Sequence, residues 1–192
     1  MKLILFDLGQ TLEAGDVLLP GALETLEAIS ALRDGDRPAP LLALVSDFDM
    51  PEDPSQVPAI QQRYYALLDR LGIRAFFEPV ADRITLSTEV GVFKPDEAVF
   101  RTAVARADPA LGFGDVLFVT ENRGHVAAAR SLGLAAVHVR GPGQPQGEVD
   151  TLTDLVPLVR AFVTGDDPAD TVVLPVAPDA AGPIVDTAGP RA

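Results

Sequence analysis

The chain has 192 residues, 47% of them hydrophobic and 22% charged, enough for one well-buried domain and too few for two full ones. Its formal charge of −13 argues against nucleic acid as a partner, because phosphate backbones bind basic faces, and it demands local positive help for any phosphate site. With no cysteine, disulfides, thiolate metal sites and a cysteine nucleophile are excluded.

The apolar start MKLILF is interrupted by Asp7 too early for a signal peptide, and no apolar run approaches the roughly 20 residues of a membrane span. The expectation is a cytoplasmic protein with no membrane partner. Residues 2–6 (KLILF) read as a buried strand ending at Asp7, and the stretch to Pro20 has room only for a short flap. Residues 20–33 place Leu23, Leu26, Ile29 and Leu32 on one helix face behind Pro20 at a first-turn position. A second buried strand, 41–45, ends in Ser46 and Asp47; the proline-rich stretch 50–58 reads as a loop and 59–71 as a helix stopped by Gly72. Residues 84–87, 116–119 and 135–139 are further strands, and 95–106, 122–132 and 152–162 further helices, the first of these with Pro95 at its first position.

Strand and helix alternating in this way predict an α/β domain: three layers, Rossmann-like, with a central parallel sheet covered on both faces. Ligands of such sheets sit beyond the carboxyl ends of the strands. Asp7, Ser46 and Glu121 each fall just past a predicted strand end. The core is expected over residues 1–163, with 164–192 a Pro-, Ala- and Asp-rich tail, disordered or loosely packed, whose VVLPV run could add an edge strand.

Four segments in order resemble the haloacid dehalogenase (HAD) superfamily. Phe6-Asp7-Leu8-Gly9-Gln10-Thr11-Leu12 is similar to the family's strand followed by D-x-D-G-T-L, and LLALVSD places Ser46 at its second motif. Leu86 to Asp96 (LSTEVGVFKPD), with Phe100, resembles S-x-E-x-G-x-x-K-P-D…F, and Val116 to His125 (VLFVTENRGH) resembles h-h-h-V-G-D-x-x-x-D. The resemblance covers residues 1–140 and implies a HAD fold with minimal or no cap domain.

It also implies roles. Asp7 would be the nucleophile that forms an aspartyl-phosphate, and Lys94 would neutralise charge between it and the phosphoryl group. Ser46, with Asp47 beside it, would hold the substrate's phosphoryl oxygens, and Thr11 would brace the loop after the nucleophile. Mg²⁺ would be held by Asp7, the carbonyl of Gly9 and Glu121. Gln10, Asn122 and His125 would surround these groups. His138, inside a strand, reads as structural, and Tyr64 and Tyr65 as packing or partner contacts.

The departures matter as much. Gly9 stands where the family's phosphatases carry the Asp that protonates the leaving group and activates water, help typically worth ~10²–10⁴ in rate. Glu121 replaces an Asp, His125 replaces the following acid, and Gln10 stands where Gly is usual. The leading expectation is therefore a Mg²⁺-dependent phosphatase of small phosphorylated substrates, weakened at Gly9. The alternatives are a degenerate HAD-like protein that binds a phosphorylated ligand or a protein without turning it over, and a dehalogenase-like or other C–X bond hydrolase. A nearly capless site would be open to water unless the tail or a partner subunit, as in a homodimer, covered it.

Overall fold

The computed structural model describes residues 1–33 and 39–166. Residues 34–38 and nearly all of the expected tail, VVLPV included, lie outside the described residues.

The chain begins with β1 (Leu3–Phe6), followed by a hairpin of β2 (Glu13–Ala14) and β3 (Val17–Leu18), then α1 (Ala22–Ser30). Next come β4 (Leu41–Ser46), α2 (Val57–Leu71), α3 (Val80–Arg83), β5 (Ile84–Leu86), α4 (Ser87–Val90) and α5 (Glu97–Ala107). The last described elements are β6 (Val116–Thr120), α6 (Arg123–Ser131), β7 (Ala135–His138) and α7 (Leu155–Thr164). The five long strands form one parallel sheet in the order β5-β4-β1-β6-β7. The strand that begins the chain is thus its centre.

Period-two alternation divides β1 between two cores. Ile4 and Phe6 face one side with Leu26 and Ile29 of α1, Tyr64 and Leu68 of α2, and Leu155 and Val159 of α7. Leu3 and Leu5 face the other with Val99 and Phe100 of α5 and Val126 and Ala129 of α6. Both faces of the strand are fully buried, which is why KLILF reads as a continuous apolar run rather than an alternating one. Each such side chain contributes about 1.5–3 kcal/mol on burial.

The expected elements form with small shifts at their ends. α1 starts at Ala22, past Pro20, because Gly21 in a left-handed conformation precedes it. α5 starts at Glu97 rather than Pro95, since the Asp96 side chain accepts from Ala98 N and caps it. The expected flap is the β2–β3 hairpin, closed by Gly15 and Asp16, both at positive φ (62° each) as a type I′ turn requires. The segment between β4 and β5 contributes α2, whose Tyr64, Leu67, Leu68 and Leu71 are buried in the core, so among the described residues no cap domain is inserted there.

Candidate active site

Asp7 leaves the carboxyl end of β1 with its backbone N–H still donating to Val119 O (2.9 Å), so the sheet itself sets its position. Its Oδ1 accepts from Leu8 N (2.9 Å) and from Lys94 Nζ (2.7 Å), and its Oδ2 from the Thr120 hydroxyl (3.1 Å). The Lys94 and Asp7 side chains are only 1% and 10% exposed. A buried ion pair costs desolvation of both charges and needs further hydrogen bonds to persist. Lys94 finds one at Val45 O (2.9 Å), and its backbone N–H is anchored by Asp47 Oδ1 (2.8 Å). Among the described residues, two of the three ammonium hydrogens are engaged, leaving one for a ligand.

Asp47, expected to touch substrate, thus spends one carboxylate oxygen on placing Lys94. Ser46 ends β4, buried, with its hydroxyl 2.6 Å from the Tyr64 hydroxyl. Burial raises the Tyr64 phenol above its ordinary range, the Ser46 hydrogen bond opposes this, and the carboxylates of Asp7 and Glu13 reinforce it. The phenol therefore stays neutral. With Tyr64 as donor, the Ser46 hydroxyl hydrogen is left for a phosphoryl oxygen.

Glu121 opens the loop after β6. Its Oε2 accepts from Thr11 Oγ1 (2.7 Å), its N–H donates back to the same oxygen (3.1 Å), and Thr120 Oγ1 lies 3.2 Å from Oε2. Thr11 therefore braces the first and fourth motifs against one another rather than the nucleophile loop alone. The Glu121 carbonyl accepts from Gln144 Nε2 (3.0 Å) and from His138 Nε2 (2.9 Å), which places the imidazole proton on that nitrogen. Gly141 passes so close that a Cβ there would lie 2.9 Å from both Cβ and Cγ of Glu121, so only glycine fits. His138, at the end of β7, thus holds the Glu121 backbone in place.

Asn122 caps α6, its Oδ1 accepting from Gly124 N (2.9 Å) and His125 N (3.2 Å). His125, half-buried in the first turn of α6, has a buried Nδ1 without a partner. Burial first, then the Lys94 ammonium, lowers its pKa, against the opposing carboxylates of Asp7, Asp47 and Glu121. Gln10 adopts φ 59°, the left-handed conformation that explains why glycine is usual in its place. Gly9 bridges to Glu13, and the Gln10 N–H donates to Glu13 O (2.7 Å). Burial raises the pKa of the Glu13 carboxyl, partly offset by the hydrogen bond from Asp16 N.

The metal expectation can be weighed against these donors. Among the described residues no three side chains of Asp, Glu or His gather as a metal cluster. Asp7 Oδ2 and Glu121 Oε2, however, both lie within hydrogen-bond distance of one hydroxyl, Thr120 Oγ1. Two carboxylates, supplemented by a backbone carbonyl and waters, form the hard-oxygen set that Mg²⁺ accepts, so the residues fit that ion in chemistry. Beside this centre a cleft of about 620 Å³ runs between Thr11, Pro20, Gly21, Arg140, Gln144 and Thr151.

No family model matches the sequence, and no curated protein is detectably similar to it. Solved structures are. An uncharacterized protein from Corynebacterium glutamicum superposes with TM-score 0.50 at 18% identity, over 87% of this chain and 97% of that one. A HAD phosphatase from Thermococcus onnurineus superposes with TM-score 0.53 at 19% identity, over 78% and 59%. A magnesium-bound HAD-hydrolase candidate from Bacillus subtilis gives TM-score 0.55 at 17% identity, over 76% and 57%. The chain has the HAD fold. It spans less than two thirds of the length of those last two HAD proteins, while all but matching the Corynebacterium protein in extent. At such identities the likeness concerns architecture, and the chemistry of this HAD-fold protein has to be argued from its own side chains.

Two of those side chains, and one pairing, were not singled out from the sequence. Thr120 stands at the glycine of the family's fourth motif, which was a usable signal. Glu13 lies in the flap, where no motif points. The Ser46–Tyr64 pair joins residues 18 apart, and only the packing of α2 against β4 creates it. Among the described residues no helix is long and apolar enough to cross a membrane.

Proposed function

We propose that the protein is a Mg²⁺-dependent HAD-like phosphatase of small phosphate esters, working through an aspartyl-phosphate on Asp7. The observation that carries this reading is the buried 2.7 Å contact of Lys94 Nζ with Asp7 Oδ1. A lone carboxylate repels a phosphoryl group, and the ammonium beside it cancels that repulsion so that the Asp7 carboxylate can attack. Ser46 Oγ and the remaining Lys94 N–H would hold phosphoryl oxygens. Asp7 and Glu121 would hold the ion, which when bound supplies charge neutralisation to the transferring group. Magnesium in the Bacillus subtilis relative and the phosphatase name of the Thermococcus protein support the same assignment.

The test is hydrolysis of p-nitrophenyl phosphate with Mg²⁺. An activated aryl ester needs no leaving-group proton, so release should proceed without a side chain at Gly9 and vanish in Asp7→Asn. Release that persists in Asp7→Asn would overturn the assignment.

Gly9 favours a second reading, a HAD-fold protein that binds a phosphorylated ligand or a protein without turnover. Equal inactivity of wild type and Asp7→Asn, with phosphate still bound, would establish it. A dehalogenase-like reaction at Asp7 would show instead as halide release from a haloacid.

A further inference from the structure

The place left open at Gly9 is bordered by one charged group. A Cβ built on Gly9 would have a single neighbour within 4 Å, Glu13 Oε1 at 3.8 Å, an ordinary contact distance. The Glu13 carboxyl therefore lies in contact distance of the point where a side chain of residue 9 would begin. Its backbone is pinned there, since Glu13 N–H donates to Leu8 O (3.1 Å), Glu13 O accepts from Gln10 N (2.7 Å), and the two residues Gly9 and Glu13 bridge. Its side chain is aimed as well: Oε2 accepts from Asp16 N (3.0 Å) at the hairpin turn. Among the described residues Oε1 has no hydrogen-bond partner.

We propose that Glu13, carried into place by the flap hairpin, is the general acid and base of this site in place of a side chain at residue 9. This role rests on the phosphatase reading. In the first step an Asp7 carboxylate oxygen bonds to phosphorus, the bond from phosphorus to the ester oxygen breaks, and the Glu13 carboxyl gives its proton to that oxygen, releasing the alcohol. In the second step water bonds to phosphorus, the Asp7 oxygen–phosphorus bond breaks, and Glu13 takes the water's proton as inorganic phosphate leaves. The acid then reaches the side of residue 9 from four residues further along the chain.

The two steps separate on an aryl ester. p-Nitrophenolate leaves without a proton, so its release needs no acid, but hydrolysis of the aspartyl-phosphate still needs the base. Glu13→Gln keeps an acceptor for Asp16 N and removes the transferable proton. With p-nitrophenyl phosphate and Mg²⁺, this variant should release about one equivalent of nitrophenolate per protein in a burst. Steady turnover should then run on the order of 10²-fold below wild type. Acid-quenched protein should carry one phosphoryl group. Unchanged turnover, or loss of burst and turnover together in a folded variant, overturns the role of Glu13 and leaves the phosphatase reading standing. Absence of Asp7-dependent release in the wild type overturns both. Glu13→Ala, read by the same burst, serves if the Gln variant does not fold.

Discussion

The Thr120 hydroxyl donates toward Asp7 Oδ2 across 3.1 Å, at a position where the family motif it resembles carries glycine. The same hydroxyl lies 3.2 Å from Glu121 Oε2, so one proton is shared by two carboxylates that would otherwise repel. Its oxygen also accepts from Asn122 N (3.2 Å), tying the centre to the cap of α6.

Thr120→Val keeps the shape and removes this shared donor. Both carboxylates and Asn122 N–H lose a partner, so the variant should unfold with about 1–3 kcal/mol less stability. Urea denaturation checks this; an unchanged midpoint would show that water replaces the hydroxyl without cost.

Lys94→Met leaves the mostly buried Asp7 carboxylate without its counter-charge. Stability should fall by about 3 kcal/mol, the low end for breaking a buried pair, because Leu8 N and Thr120 Oγ1 still serve the carboxylate. Aryl phosphate release should fall by at least about 10²-fold. Stability is read from denaturant unfolding and activity from nitrophenolate absorbance.

Gln10 holds φ 59° without being glycine. A side chain in this region costs roughly 1–2 kcal/mol, and part of that is returned as unfolded-state freedom when glycine replaces it. Gln10→Gly should therefore raise stability by about 0.5–1 kcal/mol. Thermal unfolding at fixed pH measures the gain, and a loss would show that the Gln10 side chain makes contacts outweighing the strain.

His125 contributes a pH dependence of definite sign. Its folded pKa lies below the ordinary value of 6.5, so between the two values the unfolded chain binds more protons than the native one. Its contribution is complete above 6.5 and is lost as pH falls through 6.5 toward the folded value. The stability of wild type relative to His125→Asn should thus decline from about pH 7.5 to pH 5. A difference that stays flat or rises on acidification contradicts the sign.

Much of the architecture is readable from local pattern. KLILF, LLALV and VLFV are apolar on both faces, and that requires helices on two sides of a parallel sheet. The flap is readable because too few residues separate Leu12 from Pro20 for anything larger. The ends of elements are less so: Asp96 rather than Pro95 begins α5 because a side-chain hydrogen bond outweighs a φ preference. Glu13 is not legible in the sequence, because only the fold of the flap hairpin brings its carboxyl beside Gly9 and no motif specifies that approach.

The sequence by itself determined the order of strands and helices, the strand-end placement of Asp7, Ser46 and Glu121, and the lack of a side chain at residue 9, since these follow from periodicity and residue type. Only the tertiary structure decided who touches whom. Lys94 meets Asp7 across 87 positions, Thr11 meets Glu121 across 110, and Tyr64 meets Ser46, because parallel strands from distant parts of the chain end side by side. Side-chain distances in such a sheet depend on strand order and register, which nearest-neighbour patterns do not encode.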